Sequence, residues 1–96
     1  MSILRSDIYF KDETSVARFK ELLAARKPKM EASGAIFLQA LVNEEDPLHL
    51  MFLEEWPTRE HFAAYMDWAR AQPDSAALGN LLSRPPEHVW LRTQNK

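Results

Sequence analysis

The sequence contains no cysteine and only two glycines. Without cysteine, disulfides, thiolate metal ligands and thiol nucleophiles are all excluded. Two glycines are too few for the glycine-rich loop that cradles a phosphate, and no serine lies between glycines as it does in the strained elbow of a hydrolase. The absence of cysteine fits a reducing compartment, so we expect a cytoplasmic protein.

The sequence also lacks long apolar segments and long runs of like charge. No window approaches the roughly 18 apolar residues of a membrane-spanning helix, and the N-terminus, "MSILRSDIYF", lacks the features of a secretory signal. Twelve Lys and Arg against fourteen Asp and Glu give a formal net charge of -2, spread along the chain. Because phosphate binding needs a concentrated basic surface, we expect neither nucleic acid nor a membrane as a partner.

Alternation and helical spacing predict seven elements in one domain over residues 1–96. The predicted order is a strand over 3–10, a helix over 11–27, strands over 33–42 and 48–56, helices over 58–70 and 73–83, and a strand over 87–92. Asp12 or Thr14 is expected to cap the first helix, Pro28 to end it, and Thr58 to cap the second. The βαββααβ order predicts an α+β, ferredoxin-like fold, in which helices cover one face of a four-stranded antiparallel sheet.

The second and third strands are apolar on both faces. Alternation places Phe37 and Leu41 on one face of the second strand and Ile36, Leu38 and Val42 on the other, and the third strand is similar. Since the helices cover one face only, we expect another copy of the chain to cover the second, which predicts a homodimer. The alternative is a sheet that tolerates exposed aliphatic side chains.

Two stripes of side chains run along the predicted helix over 58–70. One has the spacing of a core-facing stripe and comprises Phe62, Met66 and Ala69. The other combines apolar bodies with hydrogen-bonding groups and comprises His61, Tyr65, Trp68 and Gln72. This second stripe is typical of the rim of a ligand cavity, but also of a helix edge at a dimer interface, where Tyr and Trp are favoured.

The three histidines leave several interpretations open. His61 could be a general base, because histidine titrates close to neutral pH, or it could be a solvated residue of a helix surface. His49 would face a pocket or a partner, and His88 would begin the last strand. Since no two of them share a local metal-ligand spacing, we predict no metal site.

Nearly the whole chain resembles the antibiotic biosynthesis monooxygenase superfamily of dimeric α+β barrel proteins. The resemblance lies in the strand ending "FLEEW", the helix "TREHFAAYMDW" and the stretch "AQPDSAALGNLLSRPPEHVWL". Glu54 and Trp56 match the loose motif of the family, an acid two positions before a Trp that closes the third strand. Where many members carry a His nine residues after that Trp, this sequence has Tyr65, and its nearby histidine is His61, one turn earlier.

The resemblance implies a homodimer whose two sheets form a barrel. In the enzymatic members it also implies oxygenation of small phenolic or quinol-like substrates by molecular oxygen, without metal, flavin or another cofactor. The site residues that it suggests are Trp56, Phe62 and Trp68 as planar walls, His61 or Tyr65 as proton acceptor or relay, and Asp7 and Arg5 as polar contacts. A polar strand edge is the alternative for Asp7 and Arg5. A dimeric binding or regulatory module without catalysis is the alternative function.

Overall fold

The seven elements follow one another in the predicted order. The structure is a computed structural model that describes residues 1–94. The elements are β1 (Ser2–Tyr9), α1 (Glu13–Ala32), β2 (Ile36–Asn43), β3 (Asp46–Trp56), α2 (Arg59–Arg70), α3 (Ser75–Asn80) and β4 (Glu87–Leu91). The strands form one antiparallel sheet in the order β2-β3-β1-β4. This confirms the predicted α+β, ferredoxin-like fold.

The two longer helices begin at capping side chains that the sequence predicts. The carboxylate of Asp12 accepts a hydrogen bond from the backbone N–H of Ser15 at 2.7 Å, so Asp12 rather than Thr14 is the cap of α1. The hydroxyl of Thr58 accepts from the N–H of His61 at 3.2 Å and caps α2. Each side chain satisfies one of the backbone donors that a helix leaves free in its first turn.

The prediction that Pro28 ends α1 is wrong, because the helix continues to Ala32. A proline inside a helix costs about 3 kcal/mol. Burial of Met30 in the core offsets much of that cost, since burying a side chain of this size contributes roughly 1.5–3 kcal/mol. Backbone hydrogen bonds from Ser33 to Lys29 and from Gly34 to Glu31 then close the last turn.

Gly34 turns the chain from α1 into β2. Its φ of +100° lies in the left-handed region, and a Cβ at this position would lie 2.5 Å from Cγ of Pro57. The end of α1 therefore packs tightly against the junction between β3 and α2. Glycine is required here both by the backbone conformation and by the close approach of Pro57.

A bulge in β2 changes which side chains share a face. The register shifts between Phe37 and Gln39, so that Phe37 pairs with Glu54 while Leu41 pairs with Met51. Because directly paired residues point to the same face, Phe37 and Leu41 lie on opposite faces. Val42, which pairs with Leu50, likewise lies on the other face from Ile36. The predicted grouping is thus wrong beyond Leu38, since an extra residue reverses the alternation.

The helix α3 is shorter than the predicted span of 73–83. The backbone after Asn80 pairs with the end of β1: the N–H of Lys11 donates to the carbonyl of Leu81 at 3.1 Å, and Leu82 forms a β-bridge with Phe10. These hydrogen bonds replace further helical turns. As a result α3 is a short segment without a fully buried side chain, lying beside the inner face of the sheet.

The core lies between the helices and one face of the sheet, which we call the inner face. Trp56 and Leu4 are its fully buried side chains, and Met30, Tyr65 and Ala69 pack in the same cluster. On the opposite, outer face several apolar side chains remain exposed, with fractions from 38% at Leu41 to 51% at Ile36; Val89 and Leu91 are others.

None of the helices within residues 1–94 is both long and apolar enough to cross a membrane.

Candidate functional site

A cavity of about 290 Å³ lies between the inner face of the sheet and the three helices. Most of its wall is apolar and includes Ile8, Leu23, Phe62, Met66, Leu78 and Leu82. Ligand cavities in proteins are typically apolar concavities with a few convergent polar groups. The polar side chains of its lining include Glu54, Tyr65, His88 and Ser6, together with the guanidinium groups of Arg26 and Arg70.

Glu54 projects from β3 into this apolar space. Its side chain is buried, and Nε1–H of Trp56 donates a hydrogen bond to Oε1 at 3.1 Å. Burial raises the pKa of Glu54, and the Trp56 hydrogen bond only partly opposes this effect. The carboxyl therefore keeps its proton to higher pH than an exposed glutamate. The family resemblance matched Glu54 to a motif, but Glu54 was not among the predicted site residues. Its alternation with Leu50 and Phe52 in β3 was the signal for the direction of its side chain.

Tyr65 of α2 is buried beside the fully buried Trp56, with ring centroids 5.5 Å apart. Burial raises the pKa of Tyr65, while the nearby guanidinium of Arg26 acts in the opposite direction. The phenol is therefore protonated at neutral pH, and its O–H is a hydrogen-bond donor within the cavity wall. Of the two residues predicted as proton acceptor or relay, Tyr65 is the one that reaches the cavity.

His88 of β4 lies directly opposite Ser6 of β1. Ser6 Oγ and His88 Nδ1 are 3.1 Å apart, and Phe62 packs edge-on against the imidazole with centroids 5.5 Å apart. His88 is exposed on one side, at the edge of the cavity. Burial of the other side, with a smaller effect of Arg70, lowers the pKa of His88. The imidazole is therefore neutral at pH 7 and able to accept a proton.

The predicted aromatic walls fall in different places. Phe62 lines the cavity, and Trp56 lies behind it with ring centroids 5.3 Å apart. Trp68 packs on Tyr65 at 5.9 Å and lies under the ammonium of Lys29, outside the cavity. Trp56 thus supports the wall, Phe62 forms it, and Trp68 is one layer further out.

His61 does not reach the cavity. It is exposed at the start of α2, where its Nδ1 lies 2.7 Å from Oγ1 of Thr58. The stripe that we interpreted as core, with Phe62 and Met66, is the one that faces the cavity, together with Tyr65. His61 and Tyr65 are therefore not brought together, although they are one turn apart on the same helix.

Arg5 and Asp7 lie on the outer face of the sheet, away from the cavity. Arg5 Nε is 3.0 Å from Asp7 Oδ2, and His49 Nε2 is 2.8 Å from Asp7 Oδ1. Burial would raise the pKa of Asp7, but hydrogen bonds from Arg5 and His49 outweigh it and lower the pKa. These residues form one mutually satisfied group. Within residues 1–94, no three or more His, Asp or Glu side chains are grouped to hold a metal ion.

A second concavity, of about 370 Å³, lies between α1 and β2. Its wall includes Phe37, Phe52 and the two lysines Lys20 and Lys27. It is an open groove, and no carboxyl, imidazole, phenol or hydroxyl group of residues 1–94 lines it. Because the smaller cavity is more enclosed and carries acid–base groups, we take it as the candidate functional site.

No family model and no curated protein sequence matches the chain. In contrast, 31 solved chains match its fold. A crystal structure of an antibiotic biosynthesis monooxygenase has a TM-score of 0.70 at 16% identity, over 99% of this chain and 100% of that chain. A protein from Nitrosomonas europaea, provisionally assigned to the same group, has a TM-score of 0.68 at 17% identity, over 99% and 100%.

The same fold is shared with a different kind of protein. An uncharacterised NIPSNAP domain protein from Burkholderia xenovorans has a TM-score of 0.67 at 15% identity, over 98% of this chain and 95% of that chain. At such identities the likeness shows the fold alone. The fold is that of the antibiotic biosynthesis monooxygenases, which confirms the resemblance found in the sequence at the level of structure.

Proposed function

We propose that the protein is a cofactor-independent monooxygenase that oxidises a small aromatic or quinol-like substrate with molecular oxygen. The observation that carries the proposal is the convergence of Glu54, Tyr65 and His88 on one partly open, largely apolar cavity. The fold shared with antibiotic biosynthesis monooxygenases supports it. Such a reaction requires a cavity that fits a planar ring, a proton acceptor and the exclusion of water.

Binding uses the apolar wall. Phe62 and the apolar side chains of α1 and α3 contact a planar ring, and Trp56 holds Phe62 and Tyr65 in place from behind. A volume of about 290 Å³ suits a ligand of one or two rings, at the lower end of the usual range of roughly 300–1,000 Å³. The substrate class is therefore small and aromatic.

His88 accepts the hydroxyl proton of the substrate. Burial lowers the pKa of His88, so the neutral form needed for this step is present at pH 7. The role requires the tautomer in which Nδ1–H donates to Ser6 Oγ, because Nε2 is then free to accept the proton. Ser6 thus orients the base, and the phenol of Tyr65 donates a hydrogen bond to the ionised substrate oxygen.

Oxygen then reacts with the ionised substrate. One electron passes to O₂, and the substrate radical and superoxide combine, which forms a C–O bond and a peroxide that takes the proton from His88. Loss of the ring proton at that carbon, with cleavage of the O–O bond, gives a carbonyl; the departing hydroxide and the ring proton form water. One oxygen atom thus enters the product. The apolar wall keeps bulk water from the radical and peroxide stages.

A homodimer belongs to this proposal. The outer face of the sheet exposes a row of apolar side chains that the helices of the same chain do not cover: Ile36, Leu41, Val89 and Leu91. A second copy packed on this face would bury them and produce the two-sheet barrel. Light scattering on the purified protein checks this point, and a mass equal to that of one chain at micromolar concentration would contradict it.

The second candidate function is a dimeric binding or regulatory module without catalysis. One observation favours it: His61, the histidine one turn before the position where many family members carry one, lies outside the cavity. The shared fold of an uncharacterised NIPSNAP domain protein shows that this architecture alone does not specify a reaction.

Oxygen consumption with a panel of quinols and naphthols distinguishes the two functions. The metal-free wild-type protein should consume oxygen with at least one member of the panel. His88→Gln should reduce the rate by about 100-fold or more, and Tyr65→Phe by a similar factor, since it removes a donor to the developing oxyanion. If ligands bind across the panel and none is turned over, the binding module is the correct function.

A further inference from the structure

The charged groups around the cavity are arranged unevenly. Arg26 of α1 lines the cavity, and its side chain is only 12% exposed, while its ion-pair partner Asp74 is 36% exposed. Water therefore screens the carboxylate more than the guanidinium. The positive end of this pair is the end that faces the cavity.

Asp74 pairs with Arg26 through its carboxylate and does not cap α3. It occupies the N-cap position of α3, where an aspartate usually accepts a backbone hydrogen bond, yet its side chain makes none there. Its carboxylate instead pairs with Arg26 across the gap between α1 and α3. The ion pair thus fixes the guanidinium at the cavity wall, where a flexible arginine would otherwise turn towards solvent.

Arg26 also has one N–H group that makes no hydrogen bond within residues 1–94. Its Nε is buried and has no hydrogen-bond partner within the part of the chain that the structure describes. The guanidinium lies close enough to the phenol of Tyr65 to act against the burial that raises the pKa of Tyr65. The cation and the phenol therefore form one donor-rich side of the cavity.

The other charged groups of the cavity add to this bias. A second guanidinium, that of Arg70, also lines the cavity, and Arg70 contributes to the lowered pKa of His88. Among the described residues, Glu54 provides the one carboxyl group of the lining. Because burial raises the pKa of Glu54, the negative charge of this carboxyl is disfavoured relative to that of an exposed glutamate. The lining thus has two guanidinium groups and one carboxyl group whose ionisation burial opposes.

We propose that the cavity selects ligands that carry an ionised oxygen, with Tyr65 donating to that oxygen and Arg26, held by Asp74, acting as the positioning residue that supplies the charge. This inference rests on the proposed function for the aromatic class of ligand. It adds that the protein binds the ionised phenol in preference to the neutral one, before any oxygen chemistry.

The test uses 4-nitrophenol, which titrates near neutral pH and whose phenolate absorbs at longer wavelength than the phenol. Whole protein is titrated into 4-nitrophenol at a series of pH values, and the phenolate band reports the ionised fraction of the bound ligand. Wild-type protein should bind the phenolate about tenfold more tightly, which lowers the pKa of the bound ligand by about one unit.

Two substitutions at Arg26 separate charge from packing. Arg26→Met keeps an apolar stem of similar length and should abolish the preference for the phenolate, while Arg26→Lys should restore most of it. Lys27→Met is the matched control, because it changes the net charge equally on the same helix but lines the other groove. It should leave the preference unchanged. Circular dichroism checks that each variant is folded, and Tyr65→Phe provides an independent variant with an expected several-fold loss.

Three results would overturn the inference: absence of 4-nitrophenol binding, binding with no preference for the phenolate, or a preference that Arg26→Met retains. Oxygen consumption is not part of this assay. A protein that binds the phenolate but consumes no oxygen would refute the proposed monooxygenase and leave the inference standing. Turnover of a neutral substrate without phenolate preference would do the reverse.

Discussion

Each face of the sheet carries a buried carboxyl group, and the pKa values of the two groups are shifted in opposite directions. On the outer face, the carboxylate of Asp7 accepts hydrogen bonds from Arg5 and His49, and its pKa is lowered. On the inner face, the carboxyl of Glu54 has one hydrogen bond, from Trp56, and burial raises its pKa. The outer group is held in its charged form by its neighbours, while the inner group is shifted towards its neutral form and has hydrogen-bonding capacity available. Availability of this kind, rather than the presence of an acid and a base, marks the candidate site.

The largest expected effect comes from removing the support of the inner face. Trp56 is fully buried against Phe62 and Tyr65. Trp56→Ala should lower the free energy of unfolding by about 3–5 kcal/mol, because it leaves a large void behind the cavity wall. Urea denaturation measures the change. Val42→Ala, at an exposed apolar position, is the control and should cost under about 1 kcal/mol; equal losses would show that Trp56 has no special part in the core.

The outer group should be the next most sensitive. Asp7→Asn removes the negative charge between Arg5 and His49 and should cost about 1–3 kcal/mol at pH 7. Because the folded pKa of Asp7 lies below its unfolded value of about 3.9, the carboxylate stabilises the fold above that value. This contribution is lost as the pH falls through the folded pKa. Denaturation curves between pH 2 and 7 should therefore converge for wild type and variant at the acid end.

Glu54 should show the opposite dependence on pH. Its folded pKa lies above the unfolded value of about 4.3, so the free energy of unfolding decreases as the pH rises from that value through the folded pKa. Glu54→Gln removes this dependence and should be more stable than wild type at higher pH, by on the order of 1 kcal/mol. Glu55→Gln, on the outer face, is the matched control. Parallel curves for Glu54→Gln and wild type would argue against a raised pKa.

The smallest effect is expected at the predicted base that lies outside the cavity. His61→Ala should change the free energy of unfolding by about 0.5 kcal/mol or less and leave oxygen consumption unchanged, since His61 is exposed and its side chain bonds to the exposed cap Thr58. A loss of activity comparable to that of His88→Gln would reverse the assignment of the two histidines.

The order of elements and the helix caps were predictable because they depend on local sequence. Asp12 and Thr58 cap their helices through residues three positions away, and Trp56 closes β3 as the motif indicates. Which side chains share a face of β2, and which side of α2 faces the cavity, could not be predicted from local sequence. The bulge at Leu38 reverses the alternation of β2, and the rotation of α2 about its axis decides whether His61 or Phe62 meets the cavity. Both depend on tertiary packing.

The site itself depends on partners that are far apart in the sequence. Ser6 and His88 are separated by 82 positions, and Arg26 and Asp74 by 48. No local spacing reports such pairs. In addition, Pro28 was expected to end α1 two residues after Arg26, whereas the helix continues and places Met30 in the core beside Trp56.

The pairing of β1 with β4 determines when the proposed active site is complete. His88 meets Ser6 only when β4 has docked along β1, and β4 follows the other three strands of the sheet in the sequence. The strands β1, β2 and β3 precede β4 in the chain, and before β4 docks the cavity lacks His88, the proposed proton acceptor. Under the proposed function, reactive oxygen chemistry begins only once β4 has been synthesised and has closed the sheet beside β1.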